Sequence, residues 1–308
     1  MTSINTNRAA MTALQSLNAT NMKLEATQQR ISTGLRVSTA TDNAAYWSIA
    51  TTMRSDNSSL STVKDALGLG AATVDVSYTA LNASIETVKE IKDKLVAARQ
   101  PGVDRNKIQT EVNERQNQLL SIANSANFSG ENWLSVDSSL ASYNVTKSIV
   151  SSFTRGTTGV TIQTIEFDGN ASKLIDASNQ SGVLDTEDTT LNGGVSYSIL
   201  SLDVSALTTS VADTEDLDQI IQWVDQGLSA MINSAANLGA LKSRIDSQND
   251  FVRVLMEAVE RGVGTLVDAD MTEESTKLQA LQVQQQLGVQ SLSIANQSSQ
   301  SILSLFRS

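Results

Sequence analysis

The chain has 308 residues, of which 40% are hydrophobic and only 4% aromatic, and its formal net charge is −11. It contains neither cysteine nor histidine, which excludes disulfides, thiolate nucleophiles, imidazole bases and the commonest transition-metal ligands. The acidic balance disfavours nucleic acid and anionic membranes as partners, because their phosphates would repel the chain. A single proline, Pro101, leaves room for very long helices, and the low aromatic content suits helices packed through small and aliphatic side chains.

The first residues, Met1 to Met11, contain no apolar signal core and no small-residue cleavage site. No apolar run along the chain is long enough to span a bilayer. The residues therefore leave two locations open, the cytosol or the outside of the cell after export without a cleaved signal.

The first region, from about Ile4 to Ala126, is predicted to be helical with two breaks. Pro101-Gly102 marks one break, and Asp104 is placed to cap the helix that follows. Apolar residues recur at steps of three, four or seven, a period of about 3.5 that is typical of coiled coils. This apolar row consists of Ile49, Met53, Leu60, Val63, Leu67, Val74, Leu81, Val88 and Leu95.

The central region, from about Asn127 to Ala212, is rich in Gly, Thr and Ser. Alternating apolar residues predict strands at Val160, Ile162, Ile165 and Phe167, and again at Val195, Tyr197 and Ile199. The rest, from about Asp213 to Arg307, repeats the helical period. We interpret the centre as a small β-containing insertion that could be removed, between helical halves that meet in space.

A second helix start is predicted near the end of the chain. Asp268, Asp270 and Thr272 are suited to capping, and the two glutamates after them favour the positive end of the helix dipole. A terminal helix is expected from there to about Phe306.

The two ends of the chain have heptads with polar interruptions. Asn21 and Gln28 occupy core positions near the N-terminus, and Gln285 and Gly288 do so near the C-terminus. Apolar residues also lie on more than one face of these helices. Helices of this kind are too weak to be stable alone, which indicates packing against several neighbours at once.

Candidate chemical sites are few and each has a simpler interpretation. Asp268 and Asp270 lack a third metal ligand in a loop pattern, so capping is preferred to metal binding. No strand precedes Gly68-Leu69-Gly70, so we interpret these glycines as tolerated defects in a long helix rather than a phosphate loop. The three tryptophans, Trp47 among them, are assigned to packing in a core or at a bundle junction. The sequence predicts no catalytic, cofactor-binding or metal site.

Several segments together resemble bacterial flagellins. Residues 30–36 are similar to the RLSSGLR motif of that family, and residues 104–109 are similar to its DRxxIQ motif. Weaker likenesses at both ends complete the set in the expected order. They are Ile4–Asn7, Asp42–Ala45 with Ser48–Ala50, Asn127–Gly130 with Trp133 and Leu134, Asp268–Met271 with Glu274, Ala295–Gln297, and Ile302–Phe306. Tyr46-Trp47 resembles the flagellins of rhizobial soil bacteria.

The resemblance implies a mainly α fold in three layers. Long N- and C-terminal helices pair as a coiled coil and a helical bundle, with a small β-containing central insertion. Residues 1–34 and 268–308 would form an inner layer, 35–139 and 208–267 a bundle layer, and 140–207 a variable outer domain. The inner-layer assembly contacts would be Leu14, Leu17, Leu24, Ile31, Leu35, Leu281, Leu287, Leu292, Ile294, Ile302 and Leu305.

The same resemblance implies a non-enzymatic, extracellular filament subunit exported unfolded through the flagellar type III apparatus. Its expected partners are itself, related flagellin isoforms, the export apparatus and chaperone, and the filament cap and junction proteins. No cofactor, nucleic acid or membrane partner is expected. Two alternatives remain open, a hook–filament junction protein with similar ends and a cytosolic coiled-coil scaffold.

Host recognition is a further implication of the resemblance. The stretch sensed by a vertebrate innate receptor in many flagellins corresponds here to Lys92, Asp93, Lys94, Leu95 and Val96. The stretch sensed by plants corresponds to Gln29–Ala50. Both depart from the family pattern, so weak recognition is expected.

Overall fold

The computed structural model describes residues 6–141, 143–156, 159–192, 194 and 196–305, with side chains described as far as residue 298. Helices dominate this part of the chain, which confirms the mainly α fold class. They are α1 Arg8–Thr33, α2 Ala44–Ala98, α3 Arg105–Ser125, α4 Val211–Val267 and α5 Met271–Leu305. None of them, over the described residues, is long and apolar enough to cross a membrane.

The helix boundaries follow the capping signals. The Asp104 carboxylate accepts a hydrogen bond from the Asn106 N–H and caps α3, as the sequence predicts. The Asp270 carboxylate accepts from the Thr272 and Glu273 N–H groups at the start of α5. Both local predictions are confirmed. The last predicted helical residue, Phe306, lies outside the described residues.

Strands lie between α3 and α4. They are β1 Asn127–Phe128, β2 Glu131–Asn132, β3 Ser135–Val136, β4 Thr146–Gly156, β5 Gly159–Asp168, β6 Ile175–Asp176, β7 Asp188–Thr189 and β8 Ser196–Tyr197. β1 pairs with β2, β4 with β5 and β7 with β8 in antiparallel fashion, and β3 pairs with β6 in parallel. β5 confirms the strand predicted at residues 160–167. Ile199 was predicted in a strand but lies in a turn after β8, and Val195 lies outside the described residues.

The chain divides into two compact units, residues 1–58 with 256–308, and residues 59–255. In the first unit, Gly34 ends α1 with φ of 72°, a left-handed conformation that glycine adopts without strain. The Val37 N–H then donates to the Val267 carbonyl, and both side chains join a small apolar cluster with Ala50 and Val263. The predicted three-layer division has other boundaries and stays a prediction.

The second unit contains a bundle of α2, α3 and α4. The predicted apolar row of α2 is buried from Leu60 to Leu95. The prediction was wrong at the start of the row, because Ile49 is 49% exposed and Ala50 is buried instead. Steps of three and of four residues both return to the same helix face, so the pattern alone could not choose between them.

Ion pairs between α2 and α4 show that the two helices run antiparallel. Lys92 pairs with Asp225, and Arg99 pairs with Asp218 at 2.7 Å. Lys242 forms a half-exposed pair with Asp75. Exposed pairs of this kind each add about 0–1 kcal/mol, so burial of the apolar row provides most of the bundle's stability.

The central segment packs on the bundle rather than standing apart from it. Ile149 of β4 lies against Gly70 of α2, where a Cβ atom would come within 2.5 Å of its side chain. The Gln109 side-chain amide donates to the Leu202 carbonyl (2.9 Å), and its oxygen accepts from the Val204 N–H (2.7 Å). Gly70 is therefore a contact point and not a tolerated defect, and these contacts argue against a removable insertion.

A buried carboxylate organises the turn after β6. Asp176 is fully buried and accepts hydrogen bonds from the Lys173 ammonium (3.1 Å) and the Ser138 N–H (3.1 Å). Burial raises the pKa of the Asp176 carboxyl, but the hydrogen bonds from Ser138 and Lys173 outweigh it. The pKa therefore lies well below its ordinary value, so the carboxylate is ionised in the folded chain.

Replacing this carboxylate is expected to destabilise the second unit. Asp176→Ala leaves Lys173 buried without its counter-charge, so the free energy of unfolding should fall by about 3–5 kcal/mol. Because the folded pKa is lowered, the carboxylate's contribution is present above its unfolded pKa, ~3.9, and is lost as the pH falls below it. Urea unfolding at neutral and acidic pH measures both effects. The exposed Glu187→Gln variant is the control and should change stability by less than about 0.5 kcal/mol.

Candidate assembly surface

The helices α1 and α5 pair along a seam that includes three of the residues that interrupt their heptads, Asn21, Gln285 and Gly288, whereas Gln28 is exposed. The Gln285 side-chain amide donates to the Asn21 oxygen at 2.8 Å. A Cβ atom on Gly288 would come within 3.1 Å of the Leu17 side chain. Gln285 therefore faces Asn21 and Gly288 faces Leu17, which gives the seam a fixed register.

The ends of the seam are held by hydrogen bonds. The Asn7 side-chain amide donates to the Ala295 carbonyl at 2.9 Å, and the Arg30 guanidinium donates to the Glu274 carboxylate at 3.1 Å. Glu274 is only 6% exposed, so this pair is partly desolvated. These contacts set how α1 lies on α5 but add little apolar burial.

The seam buries very little. Among the described side chains of α1 and α5, only Thr27, Glu274 and Leu281 are buried. Stable pairing of two helices requires a continuous apolar core. The paired helices therefore need further partners to be stable.

Apolar side chains instead lie on the outside of α5. Val283 is 54% exposed, Leu287 56% and Ile294 66%. Successive helix positions turn by roughly 100°, which places this row about 180° from the seam residues Gln285 and Leu292. Leu287 and Ile294 also border an open groove of about 880 Å³ between the two helices, whose α1 side is lined by small residues such as Ala13.

The outside of α1 is apolar as well. Met11 is 64% exposed, Leu14 49% and Met22 65%, and all three line a second groove. The sequence placed Leu14 in the heptad seam, but Ala13 is the half-buried residue there. Met11 and Met22 were missed, although eleven residues make about three helical turns and place them on the same face.

The predicted assembly contacts differ in their location and in how far they are buried. Leu35 lies beside the small cluster of the first unit rather than on either helix. Leu281 is buried in the seam. Leu17, Leu24, Ile31 and Leu292 are half-buried, whereas Leu14, Leu287 and Ile294 are exposed. Ile302 and Leu305 lie in α5, but their side chains are outside the described residues.

The start of α2 presents aromatic residues to solvent. Tyr46 is 42% exposed and Trp47 39%, so Trp47 does not lie in a core. The Asn43 side chain accepts from the Tyr46 N–H at 3.1 Å and caps this first turn. Capping by Asn43 fixes where the helix begins and so keeps both aromatic rings on its surface.

The stretch at residues 92–96 lies on α2 in the bundle. Lys92 and Lys94 are engaged in ion pairs, the second with Glu111 of α3. Leu95 is completely buried, and Val96 is 51% exposed. A partner approaching this stretch would meet paired lysines and a single apolar side chain.

The sequence matches the bacterial flagellin N-terminal helical region over residues 4–139 and the C-terminal helical region over residues 221–306. The chain belongs to the bacterial flagellin family. It is 52% identical to flagellin C of Rhizobium meliloti (strain 1021), and 45% identical to a flagellin of Brucella melitensis biotype 1. Both alignments cover all of this chain and all of the relative.

A solved structure supports the fold alone. A putative flagellar hook-associated protein from Vibrio parahaemolyticus matches with a TM-score of 0.52 and 13% identity, over 74% of this chain and all of the other. The full-length likeness to flagellins favours neither the junction protein nor the cytosolic scaffold. As a flagellin, the protein is a structural subunit of the bacterial flagellar filament.

Proposed function

We propose that the α1–α5 pair is the part of this flagellin that neighbouring copies contact in the filament. The observation that carries the proposal is the pair of apolar rows on the outer faces of a helix pair with almost no core of its own. Contiguous apolar surface of this kind marks a site of association. Leu14, Leu287 and Ile294 would lie between copies, while Leu17 and Leu292 would hold the pair together.

The layered arrangement remains part of the proposal. Residues 1–34 and 268–308 would form the inner layer, residues 35–139 and 208–267 the bundle layer, and residues 140–207 the outer surface. The role is structural, without catalysis or cofactor. Related flagellin isoforms would share the filament, and export would use the flagellar type III apparatus and a chaperone, with the cap and junction proteins at the filament's ends.

The isolated subunit should be cut at both ends by protease. Because the α1–α5 pair buries so few side chains, it should open readily in the monomer and be ordered only between copies. Limited proteolysis of the monomer should remove residues 1–34 and 268–308 and leave a core of about residues 35–267. The same ends should survive in filaments, as judged by mass spectrometry. Equal protection of the ends in both states would rule out ordering on assembly.

The depolymerised protein should be a weak ligand for host receptors. In the stretch at residues 92–96, Lys92 replaces arginine's planar fork and Lys94 puts a charge where the family has an apolar residue. Both lysines are held in ion pairs, and Leu95 is buried. In the plant-sensed stretch, Tyr46 and Trp47 add bulk. Vertebrate reporter cells given the protein, and plant reporter cells given a Gln29–Ala50 peptide, should give little or no signal. Activation at nanomolar concentration would contradict the corresponding half of this prediction.

A further inference from the structure

The β4–β5 hairpin contains a bulge, beyond which the side chains of β4 and β5 that had faced the helices give way to those of the opposite face. Ile149 pairs with Ile165 near its base, whereas Phe153 pairs with Ile162 farther out. The register shifts between Val150 and Ser152, where β4 has an extra residue. Alternate residues of a regular strand share a face, and an extra residue reverses that parity. Phe153 and Ile162 therefore lie on the face opposite to Ile149 and Ile165.

This reversal leaves an apolar surface in solvent. Ile165 is 2% exposed and Ile149 is 7% exposed, because their face is turned towards the helices. Beyond the bulge, Ile162 is 61% exposed and Val160 is 51% exposed. Phe153, which is half-buried, completes this surface. Phe153, Val160 and Ile162 are called the hairpin ridge below.

The helices hold the bulge in place. The Gln248 side-chain amide of α4 donates to the carbonyl of Ser151, the extra residue, at 3.0 Å. Ile149, two residues earlier, lies against Gly70 of α2. Contacts with the helices at Ser151 and Ile149, and not the hairpin alone, thus determine the direction in which the ridge points.

A groove lies elsewhere on the same unit, between α2 and the end of α3. Its volume is about 460 Å³ and its walls are mainly apolar. It is lined by Val76, Ala80 and Ala83 of α2, by Ile122 of α3 and by Ala126, which follows α3. These residues define the bundle groove.

The hairpin ridge cannot reach the bundle groove of the same chain. The hairpin base is tied to α4 where Ser234 donates to the Ala171 carbonyl, and its bulge is tied to Gln248, about 21 Å farther along α4. The Lys242–Asp75 pair sets the antiparallel register, so the hairpin runs past Gly70 and away from the groove. Ala80, in the groove, lies about 15 Å from Gly70 along α2. The ridge lies beyond Gly70 in the other direction along the same helix.

We propose that the hairpin ridge of one copy docks into the bundle groove of a second copy in the filament. The two surfaces differ, so the contact is heterologous and repeats from copy to copy without closing, as an open helical polymer requires. A second copy is the partner because the protein is a filament subunit and both surfaces lie on one folded unit. The proposal rests on the filament role but uses none of the α1–α5 contacts.

Cysteine cross-linking tests the contact directly, since the chain has no cysteine of its own. Ile162→Cys and Ala83→Cys subunits would be assembled together with an excess of wild-type subunits and then oxidised. A disulfide forms only when the Cα atoms lie within about 7 Å. Dimers that join residue 162 to residue 83 are expected in filaments and not in monomers. Thr161→Cys, exposed on the other face of the hairpin, is the matched control.

The assembly of a second variant, Ile162→Asp, tests the same contact independently of cross-linking. Ile162→Asp should raise the concentration needed for assembly at least tenfold without changing the melting temperature of the monomer, and Thr161→Asp should not. The proposal is overturned if Ile162→Cys cross-links no better than Thr161→Cys, or mainly to itself, or if Ile162→Asp assembles normally. Loss of assembly in Ile294→Asp together with normal assembly of Ile162→Asp would refute this contact and leave the α1–α5 proposal intact.

Discussion

Ile294→Asp is expected to abolish filament formation while leaving the fold of the isolated subunit unchanged. The side chain is 66% exposed in the single chain, so an aspartate there remains hydrated. Between copies the same carboxylate would be buried without a partner, at a cost of several kcal/mol per subunit. A cost of about 4 kcal/mol would raise the concentration needed for assembly roughly a thousandfold. Leu287→Asp, on the same row and 56% exposed, should behave alike.

Electron microscopy and light scattering would follow assembly, and circular dichroism would follow melting. Ser293→Asp is the matched control, because it adds the same charge one position away, on an exposed residue about 100° around the helix. It should assemble close to normally. Filaments of ordinary length from Ile294→Asp would show that the outer row of α5 does not lie between copies.

Local signals in the sequence were enough for the helix boundaries. Pro101 cannot continue a helix, and Asp104 and Asp270 accept hydrogen bonds from N–H groups within three residues. The interactions that decide these positions lie within one turn of the chain. The pattern of neighbouring residues therefore predicts them without knowledge of the fold.

The seam between α1 and α5 could not be derived in the same way. Asn21 and Gln285 are polar interruptions when each helix is considered alone, and only their contact explains them. They lie 264 residues apart in the chain. One sequence gives no register between such distant helices. The choice between Ala13 and Leu14 as the seam residue depends on that register too.

The hairpin was only half predicted for a different reason. β5 alternates clearly and was found, but β4 contains serines at 148, 151 and 152 and an extra residue that breaks its alternation. A bulge hides a strand from a period-two search and also reverses its faces. Gly70 was misinterpreted for the same reason, because the Ile149 contact that requires it comes from a strand that was not predicted.

The packing of the central segment leads to the largest expected loss of stability. Deleting residues 140–207 removes the carbonyls of Ile199 and Leu202, which accept hydrogen bonds from the buried Gln116 side chain. Gln109 would lose the same Leu202 carbonyl. Water replaces the lost partners once the segment is gone, so each of these hydrogen bonds contributes about 0.5–1.5 kcal/mol. The deletion also uncovers the face of α4 at Gly227, which Ile199 covers at close range.

In a variant with a short Gly/Ser bridge in place of residues 140–207, the free energy of unfolding should therefore fall by at least about 5 kcal/mol, since several hydrogen bonds and many apolar contacts are lost together. At roughly 2–4 °C per kcal/mol for a unit of this size, its melting temperature should fall by more than about 10 °C. The matched control is a shorter deletion, residues 154–161 replaced by a two-residue turn. It removes only the exposed hairpin tip and should keep the melting temperature within a few degrees. If the long deletion melts like the full chain, the segment is an independent insertion after all, because the bundle would then be stable without the contacts to Gln109, Gln116 and Gly227.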